Sequence, residues 1–480
     1  MTTECTQNFF SFHPLNRRAV RAAFDGGRIS SDGGALLLRE VEARIGIIRS
    51  FAACFADHRN PELIEHPVRD LVAQRVYGLA LGYEDLNDHE QLRKDPLFAV
   101  LADKADLTGE QRRRGQDRGA ALAGKSTLNR LELGAPEIGK PERYKKLILE
   151  DAAVDRMLVD NFLQAHKEAP AEIVLDIDST DIPLHGEQEQ RFFHGYYGNY
   201  CYLPLYIVCG EFVLCARLRP SNLDGAKGSV LELERIVQQI REAWPQVRIL
   251  VRGDSGFCRE ELLSWCEANR VDYAIGLAQN VRLRQILAEP MAAAAAQHQA
   301  TGKAARVFTS FLYRTKTSWS RARRVVAKAE HLDKGANPRF VVTSLSLQEA
   351  TFPAPSRWTA QSLYEDFYCA RGEMENRIKE QMMLFADRTS TAWLRSNQIR
   401  LYFSTVAYLL LQGLRRLGLA GTELAQAQCQ TIRLKLLKIG AAIRITVRKV
   451  WIAWSAGYPY VSLFREVYQN LQKRPVPRRC

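Results

Sequence analysis

The stretch EIVLDID, residues 172–178, decides how the rest of this chain is read. It is a run of β-branched and aliphatic residues ending on two aspartates, and it has the composition of a buried strand. Downstream, YLPLYIVCG (202–210) and FVLCARL (212–218) are separated by Gly210 and Glu211, which predicts a hairpin. Ser229 to Trp244 has helical periodicity, VRILV (247–251) is a further strand running into Arg252-Gly253-Asp254, Glu260 to Asn269 is a helix, and VDYAIGL (271–277) is another strand. The order β-β-β-α-β-α-β is a hairpin meander followed by two crossovers. Crossovers add strands in parallel and leave helices on the faces, so the expectation is an α/β protein with a ribonuclease H-like mixed sheet.

Around this core the pattern changes. Residues 1–168 read as a helical N-terminal region; in DLVAQRVYGLALG, Leu71, Val72, Val76 and Leu79 fall at helical intervals. The core is then expected in two parts, 169–278 and 339–390, with the strand RFVVTSL (339–345) and a Pro-punctuated loop (Phe352, Pro353, Pro355) opening the second. Between them, 279–338 reads as a β-rich insertion: an alanine run, a polar stretch and the basic segment VFTSFLYRTKTSWSRARRVVAKAEHL (307–332). A long helix is expected from about Gln361 to Phe385, and 391–480 as a helical, basic C-terminal region ending in KRPVPRRC.

Composition narrows the function classes. The 480 residues carry a formal net charge of +13, which favours a polyanionic partner, nucleic acid before membrane. Val406 to Leu411 is too short to span a bilayer, and MTTECTQNFFSFHPLNRR lacks the order of a signal peptide. The ten cysteines form no CxxC pair, which suggests neither a zinc site nor a disulfide framework and fits a reducing cytoplasm. GAALAGKS (119–126) matches the letters of a phosphate-binding loop, but EQRRRGQDR precedes it where a buried strand is required. The simpler reading is a helix start with Ser126 or Thr127 as N-cap, its Lys125, Asn129 and Arg130 available to a duplex; no nucleotide cofactor is expected.

Metal-assisted phosphoryl transfer needs several carboxylates converging on one small site. Asp176 and Asp178 end the first strand two residues apart, so their side chains share a face. Asp254 follows the fourth strand, at the sheet edge where ligands of α/β proteins gather, although an aspartate between strand and helix also serves as an N-cap. On the late helix, Tyr364, Tyr368, Arg371, Glu375 and Lys379 are spaced 4, 3, 4 and 4, one stripe that Phe367, Met374 and Ile378 flank with an apolar face. Each acid alone has a bland reading as turn or solvated surface; their order along the chain is the specific signal. His185 and His194 in the loop after the first strand read as polar surface, and Phe192, Phe193, Tyr196, Tyr197, Tyr200 and Tyr202 as core packing.

With these residues in place, the chain resembles the DDE-type transposases of bacterial insertion sequences, a group with a ribonuclease H-like core interrupted by a β-rich insertion. Their glutamate lies in a Tyr-x2-Arg-x3-Glu-x6-Lys signature; Tyr368, Arg371 and Glu375 match, while the final lysine position is Met382 and Lys379 lies one turn earlier. The family's Asp-x-Thr triplet selects Asp178-Ser179-Thr180 over Asp176, and Asp254 in RGDSGF matches the second aspartate. LDIDSTDIPLHGEQEQRFFHGYYGNYCYLPLYIVCG (175–210) also looks like one lineage of these elements.

The resemblance implies that Asp178, Asp254 and Glu375 hold two Mg²⁺ ions, with Mn²⁺ able to substitute. It implies cut-and-paste transposition by a homodimer on double-stranded DNA, at terminal inverted repeats and target, in a bacterial cytoplasm and nucleoid. Tyr368, Arg371 and Lys379 are the implied DNA contacts near the acids. Related enzymes that form a hairpin intermediate place an insertion tryptophan near a flipped base, which points to Trp319, with Arg321, Arg323 and Arg324 on phosphate; a β-sheet aromatic is the competing reading of Trp319. The alternatives are a ribonuclease H-like nuclease without strand transfer and a catalytically inactive DNA-binding derivative.

Overall fold

The alternation in EIVLDID sends odd and even side chains to opposite faces of a sheet that is covered on both. The computed structural model describes residues 9–133, 145–346 and 357–473; the Pro-punctuated loop at Phe352 to Pro355 and the tail from Arg474 on lie outside the described residues. The chain divides into two compact units, Glu150–Thr405 and Met1–Leu149 with Val406–Cys480.

The first unit opens with helix α1 (Asp151–Gln164), followed by β1 (Glu172–Ser179), β2 (Leu205–Cys209), β3 (Phe212–Arg217), α2 (Ser229–Ala243), β4 (Arg248–Gly253), α3 (Glu260–Ala268) and β5 (Asp272–Leu277). Then come α4 (Val281–Ile286), α5 (Ala288–Thr301), β6 (Ala305–Tyr313), β7 (Arg323–Leu332), β8 (Gly335–Ala336) and β9 (Arg339–Thr343). They build one nine-stranded mixed sheet in the order β3-β2-β1-β4-β5-β9-β7-β6, with β8 paired to β7. The meander β1-β2-β3 is antiparallel, and the crossovers through α2 and α3 add β4 and β5 parallel to β1.

Ile173, Leu175 and Ile177 of β1 face a core with Val159 and Phe162 of α1, Leu233, Ile236 and Ile240 of α2, and Leu262, Leu263 and Cys266 of α3. On the other face Val174 joins Leu250, Ala274, Val326 and Val341 beneath Trp358, Leu363 and Tyr364. Burial on both sides is why these strands read as near-continuous apolar runs.

Three stretches differ from the sequence reading. The alanine run of the 279–338 segment is helix, and its β-like part does not stand apart: β7 pairs with β9, which pairs with β5, so it widens the central sheet. The helix expected from Gln361 to Phe385 is broken into Ala360–Ser362, a π-helical turn Leu363–Tyr368, a 3₁₀ turn Cys369–Arg371 and the helix α6, Gly372–Met382. The flanking regions are less helical than expected. Phe10–Leu15 and Arg18–Ala22 form an exposed hairpin, and Arg28–Ser30 joins Ala441–Ile445 and Val450–Trp454 in a three-stranded sheet.

In this second unit the GAALAGKS stretch follows a 3₁₀ turn, Gly115–Asp117, and leads into the helix Lys125–Glu132. Its N-cap is Gly124 rather than Ser126 or Thr127. The Lys125 N–H donates to the Glu90 carboxylate at 2.8 Å, so a side-chain carboxylate holds the place a phosphate would take, and Lys125 Nζ donates to Asn87. Among the described residues no helix is long and apolar enough to cross a membrane.

Candidate active site

Strand register sets the two aspartates side by side. β4 runs parallel to β1 with Gly253 opposite Ile177, so Asp254 and Asp178 each follow one residue later at the carboxyl ends of adjacent strands, which run about 4.8 Å apart. Gly253 is required here because a Cβ would lie 2.8 Å from Ile177 Cγ1. Asp254 also fulfils its N-cap reading: its Oδ1 accepts the Gly256 N–H at 2.8 Å, which fixes the carboxylate at the turn Ser255–Phe257.

The third acid arrives from α6. Arg371 donates from Nη1 to Asp178 Oδ2 at 3.3 Å and from Nη2 to Glu375 Oε1 at 3.5 Å, spanning the two carboxylates. Glu375 itself is half exposed, 51% at its side chain. The stripe survives the π turn pairwise rather than as one face. Tyr364 is buried against Phe308, Tyr368 packs on Tyr364 with ring centres 5.8 Å apart, and Arg371 and Glu375 pair one turn on. Tyr368 reaches the acids through a gap that Gly276 leaves: a Cβ there would sit 2.6 Å from the Tyr368 hydroxyl and 2.9 Å from the Ser255 nitrogen. Lys379 is exposed on α6.

Charge in this cluster is unbalanced. Burial pushes the Asp178 carboxyl up to about 6; Arg371 opposes that shift, while Asp254 and Glu375 add to it by repulsion. Burial, reinforced by the charges of Asp181, Asp178 and Asp254, pushes the Tyr197 phenol up to about 12. Among the described residues no group of three His, Cys, Asp or Glu side chains is placed to hold a metal ion, and Arg371 pairs with both Asp178 and Glu375. Three carboxylates sharing one arginine leave hard oxygens with excess negative charge, a donor chemistry that suits a hard divalent cation.

Asp176 shares the face of Asp178 but not its environment. Arg252 grips it with two bonds of 2.7 Å and gives its third nitrogen to the Phe367 carbonyl. Asp176 is therefore the buried anchor that ties β1 to β4 and to the turn above, and Arg252 is a structural residue that sequence reading passed over. The clue was present in the register, since Arg252 lies opposite Asp176.

The tryptophan and arginines of the 307–332 segment stand elsewhere. Trp319, in the loop between β6 and β7, is 4% exposed and packs edge-on to Tyr313 in the core. Arg323 is buried between Glu260 and Glu267, exposed Arg321 pairs with Glu267, and Arg324 donates to the carbonyls of Leu345 and Trp358. Their charges are engaged within the protein. The aromatic run after β1 divides: Tyr202 is core, but Phe193, Tyr196 and Tyr200 are exposed, contrary to the packing expectation. His194 lies against the Tyr197 ring at 4.9 Å, and His185 is on the surface.

Comparison with known proteins bears on this geometry. The family profile described as "Transposase DDE domain group 1" matches residues 12–476. No curated protein matches the chain. Among solved structures, a piggyBac transposase synaptic complex with hairpin DNA is a distant likeness, 12% identical over 93% of this chain and 82% of that one, with a TM-score of 0.39. By the span of its family match, which takes in the strands, the acids and the glutamate helix, this chain belongs to the transposase DDE domain group 1 family.

Proposed function

We propose that this chain is a cut-and-paste DNA transposase whose catalytic residues and metal ligands are Asp178, Asp254 and Glu375. The observation that carries the reading is the register that puts Asp178 beside Asp254 at the ends of parallel strands, with Arg371 linking Glu375 to Asp178. The antiparallel meander with two parallel strands added beside β1 supports a ribonuclease H-like core, 169–278 and 339–390, with 279–338 as an insertion. The regions 1–168 and 391–480 flank it, the first read as DNA-binding.

In this reading a water oxygen attacks phosphorus at the element's end, the P–O3′ bond breaks, and the leaving oxygen takes up a proton as a free 3′-hydroxyl. That hydroxyl then attacks phosphorus in the target strand, which releases a second 3′-hydroxyl in an exchange needing no external energy. Two divalent ions, when bound, activate the attacking oxygen and stabilise the leaving one. Asp178 and Asp254 are held rigid by strand ends and the N-cap bond, while Glu375, half exposed on α6, has room to adjust. Arg371 orients Glu375 and faces the scissile phosphate, as do Tyr368 and Lys379. Substrates are the terminal inverted repeats and target duplex, brought together by a homodimer.

The test is a two-stage assay on a labelled element end with Mg²⁺. Cleavage followed by joining to a second duplex is the expected result. Cleavage without joining would replace strand transfer with simple nuclease action, and metal-independent binding without cleavage would indicate an inactive derivative.

A further inference from the structure

Arg321, Arg323 and Arg324 each have partners within the protein, and a further concentration of positive charge has fewer. It lies near the C-terminus: from Leu424 to Arg465 the sequence holds seven Arg or Lys and no Asp or Glu. Three of the seven are turned inward or matched. Arg433 donates to the Ala80 carbonyl, Lys438 pairs with Asp32 at 2.6 Å, and Lys435 lies over the Tyr460 ring. Arg444, Arg448 and Lys449 are exposed, and among the described residues none of them has a carboxylate within ion-pair distance.

These three lie on one hairpin. Ala441–Ile445 pairs antiparallel with Val450–Trp454, and the Thr446 hydroxyl closes the turn by accepting the Lys449 N–H at 3.0 Å. Arg28–Ser30 pairs along the other side of Ala441–Ile443. One face of this sheet is packed: Ala441 and Ile443 are buried, and Trp454 donates to the Gly33 carbonyl at 2.9 Å and stacks near Phe464. The opposite face is exposed at Ala442, Arg444 and Trp451. Trp451 stands on it 52% exposed, directly across from Arg444, with the Arg444 and Lys449 cations 6.0 and 5.5 Å from its ring. Arg448 projects at the turn.

A large ring left in water between unpaired cations is a poor surface on its own but a good one for a polyanion with flat apolar walls. Beyond Ile443, where Arg28–Ser30 ends, the hairpin runs on as a two-stranded ribbon, which has the width that the major groove admits. We infer that the outer face of this hairpin is a duplex-DNA contact surface, with Arg444, Arg448 and Lys449 meeting backbone phosphates and Trp451 lying against the groove wall. The inference rests on the reading of the chain as a DNA-processing enzyme, and it assigns a duplex contact to the unit that does not carry the carboxylates.

The experiment measures binding of the full chain to a fluorescent 30-base-pair duplex by anisotropy over a range of KCl concentrations, with EDTA present so that nothing is cut. R444Q/R448Q/K449Q is expected to bind about tenfold more weakly or worse and to flatten the slope of log K against log salt by about 2.7, the value for three lost phosphate contacts. R444K/R448K should keep the wild-type slope. W451A should bind several-fold more weakly, with W451F close to wild type. R448E, at the exposed turn where folding is not at stake, should weaken binding in the same direction. An unchanged slope and affinity in both the triple variant and R448E would overturn the inference, as would a preference for phosphatidylglycerol vesicles over duplex. A parallel cleavage assay of wild type with Mg²⁺ in place of EDTA separates the two readings. If wild type binds the duplex through the hairpin but never cleaves, the proposed activity falls and the hairpin stands; if wild type cleaves while the hairpin variants bind normally, the reverse holds.

Discussion

Asp176 and Asp178 leave the same strand on the same face, two residues apart, yet the protein treats them in opposite ways. Asp176 is locked by a bidentate arginine and closed over by the turn that carries Phe367. Asp178 meets Arg371 at a longer 3.3 Å, shares that arginine with Glu375, and has Asp254 as its neighbour on the adjoining strand. A buried carboxylate with its own matched cation is architecture. A buried carboxylate crowded by two further acids and one shared arginine is left under-compensated, which is the pattern the proposed metal-binding role requires.

The sharpest way to break this contrast is chemical. Asp178→Asn, Asp254→Asn and Glu375→Gln are each expected to reduce Mg²⁺-dependent end cleavage by on the order of 10³-fold or more while DNA binding persists, as single-turnover gel assays would show. Asp176→Asn should retain cleavage in its folded fraction to within a few-fold, and cleavage as weak as that of Asp178→Asn would erase the distinction.

Stability should move in opposite directions. Removing one partner of a buried ion pair costs about 3–5 kcal/mol, so Asp176→Asn is expected to unfold at markedly lower denaturant. Asp178→Asn should instead stabilise the metal-free protein at pH 7, by about 1–2 kcal/mol, because it removes a desolvated and repelled charge. The pH dependence follows from the raised carboxyl. With a folded value of about 6 above the ordinary unfolded value, Asp178 lowers stability increasingly as pH rises through that interval, so the advantage of the Asn variant should fade by about pH 4. Denaturant unfolding in EDTA at the two pH values measures both signs.

Gly276→Ala tests how the glutamate segment is seated. A Cβ 2.6 Å from the Tyr368 hydroxyl must displace the tyrosine, and a misplacement of that size should lower cleavage about tenfold. Tyr368→Phe in the same chain, which removes the clashing oxygen, should recover part of the loss. The smallest effect is expected at Trp319→Phe: about 1 kcal/mol of stability from imperfect refilling of its core site, with duplex affinity unchanged. A loss of affinity there would return Trp319 to the DNA.

The alternation and crossovers that predict the central sheet were legible because strands buried on both faces must be apolar almost throughout; aspartates at its strand ends followed from that sheet, whereas Asp178 was chosen over Asp176 by family resemblance and Glu375 by helical phase with the Tyr-Arg-Glu match. What was not legible depended on partners far away in sequence. Asp176 is distinguished from Asp178 by Arg252, 76 residues on. Arg323 looks like a phosphate ligand until Glu260 and Glu267, 63 and 56 residues earlier, neutralise it. The break in the glutamate helix escaped a reading built on a 3.6-residue period, because a π turn shifts phase without any Pro or Gly at Leu363–Tyr368 to announce it. The hairpin around Thr446 to Lys449 was missed for a similar reason: its turn contains no Gly, Pro, Asn or Asp.

The measurement that bears most directly on the three-carboxylate account is a metal-specificity switch at Asp178. With Asp178→Cys the first ligand becomes a soft thiolate, which Mg²⁺ binds poorly and Mn²⁺ accepts better. The account predicts that end cleavage by this variant is lost in Mg²⁺ and recovered substantially in Mn²⁺, whereas wild type works in both. Undiminished cleavage in Mg²⁺ would show that Asp178 holds no catalytic ion and would contradict the account.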